Sequence, residues 1–149
     1  MSTPASMSAR RQELLLAEYR APKNRREMPE ATARAEQKNP LCGDAIAVMV
    51  REVNGRIADA SFTGAGCSIA VASASLLTQV VRGRTTREAL ALAADVDRML
   101  DRATPGRVDL PDALEPLHGV APFPGRHGCA LMAWQALRSA LEPDSQSQL

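Results

Sequence analysis

The run Asp44-Ala45-Ile46-Ala47-Val48-Met49-Val50-Arg51-Glu52-Val53-Asn54-Gly55-Arg56-Ile57-Ala58-Asp59-Ala60-Ser61-Phe62-Thr63 decides the fold. The β-branched Ile46, Val48, Val50 and Val53 make its first half a strand. Asn54-Gly55 is a strong type I′ turn signal, because both turn positions need positive φ, and Arg56 to Thr63 returns as a second strand. A hairpin over 44–53 and 56–63 follows. A two-residue loop pairs Val53 with Arg56, and the same register carried unbroken along the strands sets Cys42 opposite Cys67 at the open end. Opposed residues bring their Cβ atoms to about 5 Å, and Asp44, two residues along, shares the face of Cys42. The register has a flaw: it sets Ile46, Val48 and Val50 against Thr63, Ser61 and Asp59 and turns Phe62, Ala60 and Ala58 to the other face. A bulge near Gly64 to Gly66 is expected to repair it.

Helices are predicted around this hairpin. Residues 10 to 20 lack Gly and Pro and use good helix formers, and Pro22 stops them. Residues 21 to 38 carry Pro22, Pro29 and many charges without a hydrophobic period, so they read as a polar connection or a loosely held edge segment. Cys67 to Val81 is almost uncharged and too long for a strand, hence a buried helix ended by Gly83. Thr85 or Thr86 can cap the next helix, which runs to about Arg102. A short helix is expected around Asp112 to Leu117, and a last one from near Cys129, with Leu131, Trp134, Leu137 and Leu141 on one face, stopping before Pro143.

At 149 residues the chain fits one domain, 1–149, with 143–149 expected to be a disordered tail. A net charge of +1 and 3% aromatic residues give neither a polyanion-binding field nor a base-stacking surface, so no nucleic-acid partner is expected. No stretch approaches the roughly 18 uncharged apolar residues of a membrane span, and the start lacks a signal-peptide core. A cytoplasmic protein is expected. There is no GxxxxGK[ST], no dinucleotide GxGxxG and no HExxH.

An odd number of cysteines without an export signal argues against a disulfide framework. Each of the three stands beside glycine: Cys42 before Gly43, Cys67 after Gly66, Cys129 after Gly128. With Asp44 they make three sulfurs and one carboxylate, enough for a tetrahedral zinc shell. Soft thiolates favour zinc or an iron–sulfur cluster over calcium or magnesium. The alternative is that the thiols are small buried hydrophobes and Asp44 a solvated residue at a strand start. Cys67 and Cys129 stand at predicted helix starts, where backbone N–H groups favour thiolate. Cys42, on a turn after Pro40, is the candidate to leave the metal and react. Arg126 either offsets the site charge, roughly −2 with zinc bound, or is an exposed arginine. His127 is a further donor, a proton shuttle or a surface histidine. Ser68, Ser73 and Ser75 read as packing or backbone-bonded hydroxyls.

Asn39-Pro40-x-Cys42-Gly43-Asp44, the hairpin, Gly64-x-Gly66-Cys67-Ser68-Ile69-Ala70-x-Ala72-Ser73-Ala74-Ser75 and a distant Cys129 before an Ala/Leu/Trp helix together resemble the NifU/IscU iron–sulfur scaffold superfamily over about residues 10 to 142. The long stretch between Cys67 and Cys129, and Arg126 three residues before Cys129, make the chain most similar to the SufU branch. Gly128 replaces the residue usual there and displaces His127. The resemblance implies an α+β fold of the SufE/NifU type, a small antiparallel sheet covered by helices, and zinc bound by Cys42, Asp44, Cys67 and Cys129. It further implies a zinc-dependent sulfurtransferase. A PLP-dependent, SufS-type cysteine desulfurase supplies a histidine that displaces Cys42 from zinc, and Cys42 accepts persulfide sulfur bound for a downstream iron–sulfur assembly complex. The alternative is a scaffold that builds a [2Fe–2S] cluster on the same ligands.

Overall fold

The computed structural model describes residues 4–39, 43–101 and 108–142. Helix α1 (Pro4–Arg20) precedes three strands, β1 (Ala33–Asn39), β2 (Asp44–Val53) and β3 (Arg56–Ala65). Then come α2 (Ser68–Val81), α3 (Thr86–Leu100), two 3₁₀ segments (Asp112–Val120 and Pro124–Arg126) and α4 (His127–Leu141). The strands form one antiparallel sheet in the order β1-β2-β3, giving the α+β architecture.

The β2–β3 hairpin turns at Asn54 and Gly55, with φ of 54° and 79°, as a type I′ turn requires. Its register changes partway along the ladder. Val53 pairs with Arg56 and Glu52 with Ile57, but Arg51 pairs with Asp59, so Ala58 is skipped and every later pair is offset by one. The bulge therefore lies near the turn and not at Gly64 to Gly66. An extra residue in one strand reverses the facing of all that follows, which is what the hydrophobic pattern needed. Val48 now opposes Phe62 and Val50 opposes Ala60, all fully buried in the core. The described ladder ends at Ala45 and Ala65, offset by one from the predicted register, and the predicted pairing of Cys42 with Cys67 lies outside the described residues.

Ile46 to Val50 are buried on both faces of the sheet, as suits a central strand. The core side carries Phe62, Val71, Leu77, Leu114, Leu117, Trp134 and Leu137. Each large apolar side chain so enclosed contributes about 1.5–3 kcal/mol. Helix α4 packs on β1 and β2, α2 packs on β3, and α1 and α3 pack outside α2 and α4 respectively.

Residues 21–38 are more structured than a polar connection. Residues 33–39 are strand β1, with alternating half-buried and exposed positions. Its half-buried residues are Ala33, Ala35, Gln37 and Asn39, too small or too polar to register as a hydrophobic period. Upstream, Phe62 donates its N–H to the Asn24 carbonyl at 3.0 Å and accepts from the Arg26 N–H at 2.9 Å, which closes the outer edge of β3. Asp59, set by the bulge, accepts from Arg26 and from Arg82 Nε at 2.9 Å. Burial pushes its carboxyl up, but the bonds from Arg82, Arg26 and the Ala60 N–H outweigh that and hold it below the ordinary carboxylate range.

The helices depart from prediction mainly at their ends. Helix α1 begins at Pro4, well before residue 10, and the 112–117 helix is a 3₁₀ segment extending to Val120. Thr85 does cap α3: its hydroxyl accepts from the Glu88 N–H while the Glu88 carboxylate accepts from the Thr85 N–H, a complete capping box. Among the described residues no helix is long and apolar enough to cross a membrane. Cys42, Arg102 and the tail from residue 143 lie outside the described residues.

Candidate metal centre

Asp44 opens β2, and its carboxylate is directed at the end of β3. From the end of β3 into α2 the chain must pass close to it, and two glycines, Gly64 and Gly66, make the passage. At Gly64, with φ of +114°, a Cβ would stand 2.1 Å from the Ala45 carbonyl oxygen, which no side chain tolerates. At Gly66 a Cβ would stand 3.1 Å from Asp44 Oδ2 and 3.1 Å from the Ala70 Cβ. Glycine there leaves room for the carboxylate beside the first turn of α2.

Cys67 is the N-cap residue of α2, extended at φ −66° and ψ 168°, and its own side chain caps nothing. Its backbone N–H donates to Asp44 Oδ2 at 3.1 Å. A carboxylate thus sits at the positive end of α2, where a helix favours an anion. Cys129, distant in sequence, is the third residue of α4 and is buried. Asp44, Cys67 and Cys129 each offer a ligand atom, and these atoms all lie within 4.8 Å of one another. Zinc with bonds of 2.0–2.3 Å separates its tetrahedral ligands by about 3.3–3.8 Å, so the trio stands within about 1.5 Å of that spacing. Two thiols and a carboxylate with a neighbouring helix N-terminus fit a thiophilic divalent cation. At an iron–sulfur cluster the same residues would serve as thiolate and carboxylate ligands.

The structure gathers three of the four residues singled out as ligands. The fourth, Cys42, directly precedes Gly43 in the sequence; Gly43 donates its N–H to the Asn39 carbonyl at 2.8 Å and so closes the β1–β2 connection next to Asp44. Arg126 is not among the gathered ligand atoms. It is exposed at the N-cap of α4 and lines a cleft of about 370 Å³ with Leu16, Ser68, Ile69, Val120 and Phe123. That cleft adjoins Cys67 through Ser68, and Phe123 at its edge is 45% exposed. His127 is neither a gathered ligand nor simply a surface group: its Nε2 donates to the Ala121 carbonyl at 2.9 Å, tying the start of α4 to the end of the Asp112–Val120 segment. His118 Nε2 lies 3.7 Å from Glu115.

Sequence reasoning missed the carboxylate cradle at Gly66. Its only signal is a glycine with no turn to explain it. Reasoning also missed the cleft, whose residues come from α1, α2 and the segment before α4, with no local pattern to connect them.

Comparison with known proteins places these features. Residues 10–144 match the model of the NifU-like N terminal domain. The zinc-dependent sulfurtransferase SufU of Bacillus subtilis is 32% identical over 142 residues, 95% of this chain and 95% of that protein. The iron–sulfur cluster assembly scaffold protein IscU of Streptococcus pyogenes serotype M1 is 40% identical over 111 residues, 74% of this chain and 69% of that protein. Among solved structures, an iron–sulfur cluster assembly scaffold protein for the SUF system from Fervidobacterium islandicum superposes with a TM-score of 0.74 at 26% identity, covering 87% of this chain and 94% of that one. With the fold, the glycine-flanked cysteines and this similarity in hand, the chain belongs to the family of NifU-like N-terminal domains, proteins of iron–sulfur cluster assembly.

Proposed function

We propose that the protein is a zinc-dependent sulfurtransferase that takes persulfide sulfur from a cysteine desulfurase and passes it on for iron–sulfur cluster assembly. The convergence of Asp44, Cys67 and Cys129 carries the reading. It is supported by similarity along nearly the whole of both chains to a protein named for that activity. Cys42, Asp44, Cys67 and Cys129 would hold the metal. Bound zinc would keep the cysteines as thiolates and fix the helix starts that carry two of them.

Cys42 is the sulfur acceptor in this reading. Its thiolate attacks the terminal sulfur of the donor's persulfide, the donor's sulfur–sulfur bond breaks, and the donor cysteine leaves as thiolate while Cys42 carries the transferred sulfur. The exchange is balanced and needs no outside oxidant. Asp44, Cys67 and Cys129 hold position throughout, and Arg126, exposed beside the cleft next to Ser68, faces an approaching partner. The donor is a PLP-dependent, SufS-type desulfurase, the recipient is the downstream iron–sulfur assembly complex, and the setting is the reducing cytoplasm.

The test is desulfurase turnover with and without the protein. Cys42→Ala should abolish the stimulation while zinc remains bound through the other ligands; undiminished stimulation by that variant would sink the proposal. A second reading, a scaffold carrying a [2Fe–2S] cluster on the same residues, is favoured by the 40% identity to a scaffold protein. Metal analysis of anaerobically purified protein separates the two. Stoichiometric zinc that persists with iron and sulfide supports transfer, whereas a cluster that forms readily and moves to an acceptor supports the scaffold.

A further inference from the structure

The two cysteine-bearing helix starts belong to α2 and α4, and their separation fixes the metal centre. Ser73 on α2 is fully buried. A serine inside a helix usually bonds back to its own helix, as Thr78 does here by donating to the Ser75 carbonyl at 2.8 Å. Ser73 instead crosses to α4: its Oγ donates to the Ala130 carbonyl at 2.7 Å and accepts from Trp134 Nε1 at 3.0 Å. Ala130 adjoins Cys129, and Trp134 lies one turn beyond it. Measured along α2, Ser73 is six residues from Cys67, about 9 Å of helix. Near this crossing both helices bury alanines, Ala70 and Ala74 on α2, Ala130 and Ala133 on α4. Beside these short apolar side chains, the buried polar pair is a directional contact between the two helices.

We infer that Ser73 and the Trp134 indole form a clasp that sets the spacing of Cys67 and Cys129, making Ser73 a positioning residue of the metal centre. The inference rests on the reading that these cysteines bind metal. A buried polar pair of this kind fixes register where packing alone does not. Ser75 offers a control on the same helix. It is equally buried, but its hydroxyl donates to Glu18 at 2.7 Å and accepts from the Lys23 N–H at 2.7 Å, away from α4.

The experiment loads the full chain and its Ser73→Ala, Ser75→Ala and Trp134→Phe variants with Zn²⁺ and Co²⁺. It reads zinc affinity against a chromophoric chelator and the cobalt d–d and thiolate charge-transfer bands. Ser73→Ala should weaken zinc binding about tenfold, in the range for groups that orient metal ligands, and shift the cobalt bands. Trp134→Phe should show the same band shift with a smaller loss, which keeps the test alive should Ser73→Ala fail to fold. Ser75→Ala should bind like the parent even if its melting temperature falls. Parent-like affinity and bands in both Ser73→Ala and Trp134→Phe would overturn the clasp, as would equal losses in Ser73→Ala and Ser75→Ala. A parent chain that binds neither ion refutes the metal reading itself, and the clasp with it.

Discussion

Gly66→Ala is the most direct perturbation of the metal centre, because it alters no candidate ligand. The backbone at Gly66 is one that any residue adopts, so the substitution acts through space alone. The new methyl would lie 3.1 Å from Asp44 Oδ2 and 3.1 Å from the Ala70 Cβ. Ala70 is fully buried in α2, whereas the Asp44 carboxylate is half-exposed, so the carboxylate gives way. Moving it breaks the 3.1 Å bond from the Cys67 N–H and draws one ligand out of the cluster. A hydrogen bond to a charged group contributes about 1.5–3 kcal/mol. Zinc affinity should therefore fall about 10- to 100-fold, since 1.4 kcal/mol is a factor of ten. The metal-free protein should lose only about 1 kcal/mol, at the low end for added core volume. Competition against a chromophoric zinc chelator reads the first quantity and thermal melting of the metal-free chain the second. Gly128→Ala is the matched control: it lies one residue from Cys129, and its Cβ would meet nothing within 4 Å. Refutation would be parent-like zinc affinity in Gly66→Ala, or equal weakening in both variants.

Gly64→Ala should be harsher and independent of metal. Positive φ and a Cβ 2.1 Å from the Ala45 carbonyl force the β2–β3 ladder apart at its open end. A cost of about 3 kcal/mol, or roughly 10 °C in melting temperature, is expected, and a change under about 2 °C would show that the ladder end adapts. Asp59 predicts a pH dependence. Its carboxyl is depressed in the folded chain, so its contribution is fully present above the unfolded pKa of about 3.9 and fades as pH falls through the folded value. Asp59→Asn should cost about 1 kcal/mol at pH 7, as expected for part-exposed pairs, and flatten the acid limb of stability measured from pH 5 downward. An unchanged acid limb would place the depression elsewhere.

What could be read from the sequence follows from how locally each feature is encoded. The hairpin turn, α2 and the Thr85 cap each depend on a few adjacent residues, and each is present. Strand β1 is not encoded in that way. It owes its place to pairing with β2, residue for residue from Ala33 opposite Val50 to Asn39 opposite Asp44, and its inward positions carry no large apolar group. The bulge eluded placement because Ala58, Asp59, Ala60 and Ser61 include no large side chain to mark a face. Only Phe62, further along, fixes which face is buried. At the site, Asp44, Cys67 and Cys129 are legible because the thiols stand beside glycines, Asp44 lies two residues from Cys42, and the surrounding motifs resemble a known family. His127 was ambiguous for the opposite reason: its partner is the backbone carbonyl of Ala121, and sequence carries no sign of such a bond.

The three gathered candidate ligands are held by separate elements of the fold. Asp44 is held by the sheet and by the Cys67 N–H, Cys67 by the start of α2, and Cys129 by the burial of α4 against β1 and β2. Each stands on a different element of the fold. Cys42, between Asn39 and Gly43 in the sequence, lies outside the described residues. The proposed transfer requires Cys42 to be released while the other three groups stay, because a thiolate bound to the metal cannot also attack sulfur. That requirement separates the two functional readings. Transfer requires that the three anchored groups keep metal when Cys42 is lost, whereas a cluster scaffold depends on all four. Zinc retained by Cys42→Ala and lost by Cys129→Ala is the pattern that transfer requires.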